Sequence, residues 1–239
     1  MDKLASGAAG LGLKLSKAQL GQFETFYREL TDWNRRFNLT AITGYDEVQT
    51  RHFLDSLSVA LALPQTPPPP GYKIIDIGTG AGLPGMPLKI AFPEIKLVLL
   101  EATRKKAVFL EHIKTALNLS DVEVVVGRAE EAAHLEPYRE QFDLALGRAV
   151  AALPALVEIA LPFLRVGGRL IAQKKGEIET EVTAAASAIR RLGGHLREVK
   201  NLELPELPDA RYLVVIDKTT PSPANYPRRP GLPAKQPLK

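Results

Sequence analysis

The sequence predicts an α/β protein built on a doubly wound, mostly parallel sheet of seven strands. From Lys73 onward, short apolar runs alternate with longer amphipathic stretches, which is typical of a parallel sheet with crossover helices. The first apolar run, 74–77, leads directly into a glycine-rich stretch and then Pro84, a residue suited to the first turn of a helix. Strand, glycine turn and helix in this order form the nucleotide-binding corner of such sheets.

Composition indicates a globular chain with one large domain, or one domain and an appendage. The chain has 239 residues, of which 45% are hydrophobic and 24% charged. No apolar run approaches the roughly 20 residues of a membrane helix. The absence of cysteine excludes a disulfide scaffold, a cysteine zinc site and a cysteine nucleophile. We therefore expect a cytoplasmic protein without a metal, and the net charge of +4 weakly favours a polyanionic partner.

An N-terminal helical extension is predicted over residues 1–63. Its first part, 1–14, has no clear period and is expected to be loose. Ser16 and Gln19 then have the spacing of a capping box. The helix that begins there carries an aromatic stripe at helical spacing, which we expect to pack on a core.

A second helix of the extension is predicted over 46–63. Its expected inward-facing residues are Val48, Phe53, Leu57, Ala60 and Leu61. His52 and Asp55 are spaced i,i+3, so an ion pair between them is a candidate feature of a surface network.

The predicted sheet domain covers residues 64–218, after a proline-rich linker that ends the second helix. Its strands are predicted at 74–77, 96–100, 122–126, 142–146, 169–173, 195–204 and 211–217, the last two as an antiparallel hairpin. Its helices are predicted at 86–92, 103–118, 153–164 and 177–192. The rest of the chain, 219–239, is rich in proline and basic residues. This tail is expected to stay mobile or to lie on a polyanion.

Two cofactors compete for the glycine-rich corner. Gly80, Gly82 and Gly85 match the G-x-G-x-x-G of dinucleotide sites, as an NAD-linked dehydrogenase requires. Counted from the strand, the pattern is instead Asp76-x-Gly78-x-Gly80-x-Gly82, which resembles motif I of Rossmann-like class I S-adenosylmethionine-dependent methyltransferases. A pyrophosphate favours a helix N-terminus, whereas the cationic methionine end of S-adenosylmethionine favours a nearby carboxylate. An ordinary strand–helix turn does not need four glycines.

An acidic residue, Glu101, closes the second predicted strand about twenty residues after the glycines. A carboxylate at this place binds the ribose hydroxyls in both NAD and S-adenosylmethionine sites. Glu101 therefore supports a nucleotide cofactor and leaves the choice between the two open.

Several stretches together resemble one family. They are Asn38-Leu39-Thr40-Ala41-Ile42, Arg51-His52 with Asp55-Ser56, DIGTGAGLPG, Glu101 with Lys105-Lys106, Arg148-Ala149-Val150-Ala151, Lys175-Gly176 and the tail YPRRPGLPAKQPL. Over nearly its whole length the chain is similar to the glucose-inhibited division protein B family, bacterial methyltransferases that modify guanine N7 of the small-subunit ribosomal RNA. The N-terminal and tail stretches make this resemblance more specific than motif I alone.

The resemblance implies transfer of the sulfonium methyl group to N7 of guanine 527 in 16S rRNA. The residues are compatible with that chemistry. Guanine N7 has a free lone pair and needs no base, and the lack of cysteine excludes the thiolate route to pyrimidine C5. No Asp/Asn-Pro-Pro-aromatic motif of amine methylation follows the fourth strand. Catalysis would then rest on positioning and on charge.

Site residues follow from the resemblance. The cofactor-binding candidates are Asp76, Gly78, Gly80, Leu83, Glu101, Ala102, Thr103, Ala129, Glu130 and Arg148. Arg148 is also the catalytic candidate, and clamps either the cofactor carboxylate or a target phosphate unless it is an ordinary surface arginine. The RNA-binding candidates are Arg51, His52, Arg128, Lys174, Lys175, Arg228, Arg229 and Lys235.

Other functions stay open on the sequence. The same fold serves methyltransferases that act on small molecules or proteins, although the basic tail favours RNA. A non-catalytic rRNA-binding assembly factor would have no need of the acidic and glycine positions. The expected partner is 16S rRNA or the small ribosomal subunit, and the expected oligomeric state is a monomer.

Overall fold

The computed structural model describes residues 1–205, 207 and 209–238, and contains a seven-stranded sheet. The strands are β1 Lys73–Ile77, β2 Lys96–Glu101, β3 Val122–Val126, β4 Phe142–Arg148, β5 Leu164–Lys175, β6 Gly194–Leu202 and β7 Arg211–Lys218. Their order is β3-β2-β1-β4-β5-β7-β6. Strands β1 to β5 pair in parallel, while β7 is antiparallel to both of its neighbours. The predicted seven-stranded, mostly parallel sheet with a final hairpin is confirmed.

Helices cover both faces of this sheet. They are α1 Asp2–Gly10, α2 Lys17–Phe37, α3 Tyr45–Glu47, α4 Asp55–Leu57, α5 Gly85–Ala91, α6 Arg104–Ala116, α7 Ala129–Ala132, α8 Leu153–Ala160, α9 Glu179–Arg191 and α10 Leu232–Lys235. Neighbouring strand residues point to opposite faces, so Ile74 packs in one apolar core and Ile75 in another. The predicted helical extension shares the first of these cores with the sheet. The domain limits at 63/64 and 218/219 stay predictions.

The expectation of a loose N-terminus is wrong. Residues Asp2–Gly10 form α1, and Leu4 and Ala8 are fully buried. Their i,i+4 spacing was present in the sequence, but it was too short a stretch to establish a period. Gly7 completes the contact, because it lets the helix backbone approach Leu54. By contrast, the predicted capping box of Ser16 and Gln19 is confirmed at the start of α2.

Replacing Gly7 with alanine should lower the free energy of unfolding. The added Cβ would lie 2.4 Å from Leu54 Cδ2, and Leu54 is fully buried. Overpacking of this kind costs about 1–3 kcal/mol. Gly10→Ala in the same helix meets nothing within 4 Å and should stay within about 0.5 kcal/mol of the parent. Urea denaturation measures both changes. Equal stability of the two variants would mean that α1 does not pack on the core.

The second helix of the extension is not a regular α-helix. Between α3 and α4 lies a π-helix, Val48–Leu54, and a 3₁₀-helix, Ser58–Ala62, follows. The predicted inward residues Val48, Phe53, Leu57 and Ala60 are buried, but Leu61 is 39% exposed. The changes of helical period explain the error, because a 3.6-residue repeat cannot be extended across π and 3₁₀ turns.

The expectation of a mobile tail is also wrong for the described residues, whereas contact of the tail with RNA stays a prediction. The tail lies on the sheet domain, where Pro233 and Leu238 are buried. The Arg139 guanidinium donates to the carbonyl oxygens of Ser222, Pro223 and Tyr226, at 2.9–3.1 Å. Protein carbonyls and buried prolines, which composition does not reveal, therefore fix the path of the tail.

At the start of the tail, Lys218 is fully buried. Its Nζ donates to the carbonyls of Leu161 (2.9 Å) and Leu192 (3.2 Å) and to the Ser222 hydroxyl, and lies 3.5 Å from Glu140 Oε1. Burial lowers its pKa to about 8. This lysine is thus a structural group and not part of a basic surface.

Candidate active site

The predicted site residues meet at one edge of the sheet. Strand β1 lies between β2 and β4, with Ile77 opposite Leu100 on one side and Gly147 on the other. The carboxyl ends of these three parallel strands carry the glycine loop, Glu101 and Arg148. The strand order reverses between β1 and β4, and ligands of doubly wound folds bind in the crevice at this switch point.

Asp76 holds the glycine loop from beneath. Its Oδ2 accepts hydrogen bonds from Thr79 Oγ1 (2.5 Å) and from the Gly85 amide (2.8 Å). The other oxygen, Oδ1, is buried and accepts no hydrogen bond from the part of the chain that the structure describes. Burial raises the pKa of this carboxyl to about 6, although the two hydrogen bonds act in the opposite direction and lower it. Asp76 is therefore a loop-forming residue with one free oxygen.

Two constraints explain the glycines of the loop, namely a left-handed backbone conformation and a side chain packed close to the loop. Gly78 and Gly80 have φ values of 61° and 62°, in the left-handed region that favours glycine. A Cβ on Gly78 would lie 3.2 Å from Val150 Cγ2. Leu83, expected beside the cofactor, packs in the apolar core, and its contact with the cofactor stays a prediction.

Glu101 ties the glycine loop to the start of α6. Its Oε2 accepts from the Gly80 amide at 3.0 Å and its Oε1 from the Thr103 amide at 2.7 Å. The residue is only 6% exposed. A carboxylate has about four lone-pair sites, so two remain for a ligand hydroxyl pair.

A first cavity of about 330 Å³ opens beside this loop. Four of the predicted cofactor residues line it, namely Gly78, Ala102, Ala129 and Glu130. Predicted RNA residue Arg128 lines it as well. Helix α8 and, unexpectedly, the tail form further walls, with lining residues Ala155, Ile159, Pro230, Gly231, Pro233 and Ala234.

A second cavity of about 440 Å³ is lined mainly by charged side chains. It brings together the predicted residues Arg51, His52, Arg148, Lys174 and Lys175, with Asp55, Glu181 and Arg211 beside them. Consecutive residues separate the two cavities, because Arg148 and Ala149 line the second whereas Val150 and Ala151 line the first. Ala149 has a φ of 55°, so the junction is built on strained backbone.

Arg148 is held by a buried carboxylate and is not an ordinary surface arginine. Its Nη1 lies 2.8 Å from Asp55 Oδ2, and the Arg148 side chain is 16% exposed. Asp55 Oδ1 lies 3.3 Å from Arg211 Nε. The predicted His52–Asp55 pair is wrong, since His52 lies in the π-helix, where i,i+3 side chains do not share a face.

His52 instead contacts Thr40 and Arg148. Its Nε2 lies 2.7 Å from Thr40 Oγ1, and Arg148 Nη2 lies 3.5 Å from its Nδ1. Burial, and then the Arg148 charge, lower the pKa of His52 to about 4. The imidazole is therefore neutral at neutral pH, and adds no positive charge to this cavity.

The two predicted lysines of β5 differ in their environment. Lys174 Nζ lies 2.8 Å from Glu181 Oε2 and donates to the Ala151 carbonyl at 2.7 Å. Lys175 is exposed. Lys174 thus fixes the segment between the cavities, whereas Lys175 is open to a ligand.

Comparison with known proteins identifies the family. The family model described as "GidB: rRNA small subunit methyltransferase G" matches residues 19–208. This chain belongs to the GidB family. Its curated relatives include "Ribosomal RNA small subunit methyltransferase G" of Dehalococcoides mccartyi, which is 52% identical over 100% of both chains. The protein of that name from Roseiflexus castenholzii is 49% identical, also over 100% of both chains.

Solved structures agree with the fold of this GidB-family chain. A precorrin-6y C5,15-methyltransferase from Geobacter metallireducens has a TM-score of 0.51 at 14% identity, and the match covers 68% of this chain and 88% of that one. An S-adenosylmethionine-dependent O-methyltransferase from Thermotoga maritima has a TM-score of 0.52 at 18% identity, over 71% and 66%. The predicted Rossmann-like methyltransferase fold is confirmed. Membership of the GidB family makes the chain an S-adenosylmethionine-dependent methyltransferase.

The RNA candidates in the tail of this GidB-family chain fall into two groups. Arg229 and Lys235 are exposed. Arg228 is paired within the protein, because its guanidinium lies 2.6 Å from the fully buried Glu158. Within the described part of the chain, no helix has the length and apolarity to cross a bilayer. Nor do three His, Asp or Glu side chains of those residues gather as metal ligands.

Sequence reasoning missed the carboxylates of the second cavity. The sequence suggests only an ion pair with His52 for Asp55, and it does not single out Glu181 or Arg211. An acid in the 53–60 segment, which otherwise has only apolar residues and two serines, was the available signal for Asp55, because a buried carboxylate needs a charged partner. No local signal identifies Arg211, which reaches Asp55 only through the pairing of β7 with β5.

Proposed function

We propose that the chain transfers the methyl group of S-adenosylmethionine to N7 of guanine 527 in 16S rRNA. The observation that carries this proposal is the junction of two cavities at the switch point of the sheet. One cavity is lined by Gly78 of the glycine loop and by the residues that flank Glu101, and the other is lined by basic side chains. A methyl donor in the first cavity and a base in the second would face each other across residues 148–151.

The residues that line the first cavity and those directly behind its lining fit S-adenosylmethionine. Asp76 offers a buried oxygen without a hydrogen-bond partner, and so a negative charge next to the loop for the cationic methionine end. Gly78 and Gly80 would allow close approach of that end. Glu101 would accept the ribose hydroxyls, with Ala102 and Thr103 beside it. Ala129 and Glu130 would lie at the adenine edge.

The second cavity supplies position and charge balance for methyl transfer. Guanine N7 attacks with its own lone pair, so no side chain has to remove a proton, and the neutral His52 agrees with this. S-adenosylmethionine supplies an activated methyl group. The guanine becomes cationic as N7 is methylated while the methyl donor loses its positive charge, so the total charge does not change. The preorganised ion pairs Asp55–Arg148 and Glu181–Lys174 hold the acceptor site in place without adding net charge to it. Preorganised charge of this kind is often the largest contribution to catalysis.

RNA would approach from the basic side of the second cavity. Arg51 lies at its edge and Lys175 is exposed there. Arg128, Arg229 and Lys235 are exposed on the side of the first cavity and the tail. Contacts of lysine and arginine with phosphate add affinity that falls with salt and carry no sequence information. We propose that a monomer acts in the cytoplasm on 16S rRNA of the small subunit.

The test is methyl transfer from labelled S-adenosylmethionine to 30S subunits and to free 16S rRNA that lack this modification. We expect label on N7 of a single guanine, mapped by reverse-transcription stops after base cleavage. Tight cofactor binding without label on either RNA would refute the RNA substrate and favour a small-molecule or protein acceptor. Label on both RNAs would support the proposal, and the ratio of the two methylation rates would then identify the preferred substrate.

Cofactor affinity should depend on pH through Asp76. In the free protein this carboxyl has a pKa of about 6, so it becomes protonated as the pH falls below 6. A cationic ligand favours the ionised form, and the dissociation constant should therefore rise by up to about tenfold per pH unit below pH 6 and be flat above it. The Asp76→Asn variant keeps an oxygen for Thr79 and Gly85 and should show no such slope. Calorimetric titration between pH 5 and 8 measures both. A slope that survives in the variant would assign the titration to another group.

A further inference from the structure

We propose that the C-terminal strap, residues 226–238, is part of the cofactor site, and that Arg228 is a positioning residue that holds it there through Glu158. This inference rests on the proposed function, in which the first cavity holds S-adenosylmethionine. It gives the tail a role in cofactor binding rather than in RNA binding alone.

The strap forms a wall of the first cavity. Pro230, Gly231, Pro233 and Ala234 line it together with Ala155 and Ile159 of α8. Glu158 lies on the same helix, next to Ile159, and is fully buried. Helix α8 therefore contributes wall residues to the cavity and one carboxylate to the strap.

Arg228 and Glu158 form a two-pronged clasp. Arg228 Nε donates to Glu158 Oε1 at 2.8 Å and Arg228 Nη2 donates to Oε2 at 2.6 Å, while the Arg228 amide donates to Oε1 at 3.0 Å. Paired bonds of this kind fix both position and orientation. The same Nη2 donates to the Gln236 carbonyl at 2.7 Å, which ties the far end of the strap to the clasp.

A second contact joins the strap to the predicted adenine edge. The Gly231 amide donates to Glu130 Oε1 at 2.9 Å. Glu130 is one of the cofactor candidates that line the cavity. A displaced strap would therefore remove wall residues and also release a side chain that the ligand is proposed to meet.

Loss of the clasp should weaken cofactor binding more than turnover. The reacting groups lie at the Arg148 junction, whereas the strap borders the Ala129–Glu130 side of the cavity. We therefore expect the Arg228→Ala variant to have a higher KM for S-adenosylmethionine, with kcat and the KM for RNA close to those of the parent. A purely structural role would lower the apparent kcat in proportion to the folded fraction and leave both KM values unchanged.

The experiment is calorimetric titration of S-adenosylmethionine into the full chain without RNA. Arg228→Ala should raise the dissociation constant at least about tenfold, the equivalent of one lost hydrogen bond to a charged group. Arg228→Lys keeps the charge but not the paired geometry, so its dissociation constant should lie between those of the parent and of Arg228→Ala. Gly7→Ala is the matched control, because it destabilises the fold far from the cavity and should leave the dissociation constant unchanged.

The outcomes separate the two proposals. If the parent chain does not bind S-adenosylmethionine, the assignment of the cavity itself fails. If the parent binds and folded Arg228→Ala binds equally well, the strap inference is overturned, and a lowered RNA affinity in that variant would assign Arg228 to RNA. Should Arg228→Ala not fold, the Glu158→Gln/Arg228→Gln variant removes both charges and leaves no unpaired buried carboxylate. Unchanged affinity in that variant would equally overturn the inference.

Discussion

Replacing Arg148 with alanine should lower kcat/KM for methyl transfer by roughly 10²- to 10³-fold, the usual effect of removing one preorganised charged donor. Arg148 is the charged side chain at the junction of the two cavities, and Asp55 holds it at 2.8 Å. Alanine leaves a space at the junction and leaves Asp55 with Arg211 as its remaining partner. The residue that orders donor and acceptor would then be missing while the rest of the site stays.

Cofactor titration of the same variant distinguishes the two proposed roles of Arg148. A higher dissociation constant for S-adenosylmethionine would mean that Arg148 clamps the cofactor carboxylate. An unchanged constant, with a higher KM for RNA, would mean that it holds a target phosphate. Circular dichroism and the thermal midpoint establish folding. The Asp55→Asn/Arg148→Gln variant removes both charges of the pair, and Arg211 keeps its ion pair with Asp209 at 3.7 Å. Methyl transfer within threefold of the parent in folded Arg148→Ala would remove this residue from the site.

The parts of the site that the sequence predicted are local in the chain. The segment from Asp76 to Gly85 determines its own turn, because the Asp76 carboxylate binds Thr79 and the Gly85 amide within nine residues. Glu101 follows from the end of β2, and the parallel pairing of β1 and β2 brings it to the Gly80 amide. A strand pattern and the rule that carboxyl ends share an edge were sufficient.

The parts that the sequence did not predict depend on contacts between distant segments. Helix α1 is stabilised by its contact with Leu54, which lies more than forty residues away along the chain. The tail carries too few apolar residues for a core of its own. It is held instead by the ion pair between Arg228 and the buried Glu158 on α8. The proposed role of Asp55 depends on its ion pairs with Arg148 and Arg211, which lie on β4 and β7. Single-sequence patterns carry no information on such pairs.

Replacing Glu101 with glutamine should raise the dissociation constant for S-adenosylmethionine by about 10²-fold, as expected when a charged hydrogen-bond acceptor is lost and a donor is left unpaired. In the parent, each carboxylate oxygen accepts from a backbone amide, Gly80 on one side and Thr103 on the other. Glutamine can place its carbonyl oxygen toward only one of them. Its NH₂ group then faces the other amide, which is also a donor, and the glycine loop is displaced. The acceptor proposed for the ribose hydroxyls is lost at the same time.

The control for Glu101→Gln is Glu94→Gln, which removes an exposed carboxylate just before the opposite end of β2 and should change cofactor affinity less than twofold. Calorimetry gives both affinities, and thermal unfolding gives the accompanying loss of stability. A ligand lacking the ribose hydroxyls sharpens the test, because Glu101→Gln should affect its binding far less than that of S-adenosylmethionine. If both ligands weaken equally, Glu101 acts only by shaping the glycine loop. If neither weakens, the ribose is not held at the end of β2, and the proposed orientation of the cofactor along this edge is wrong.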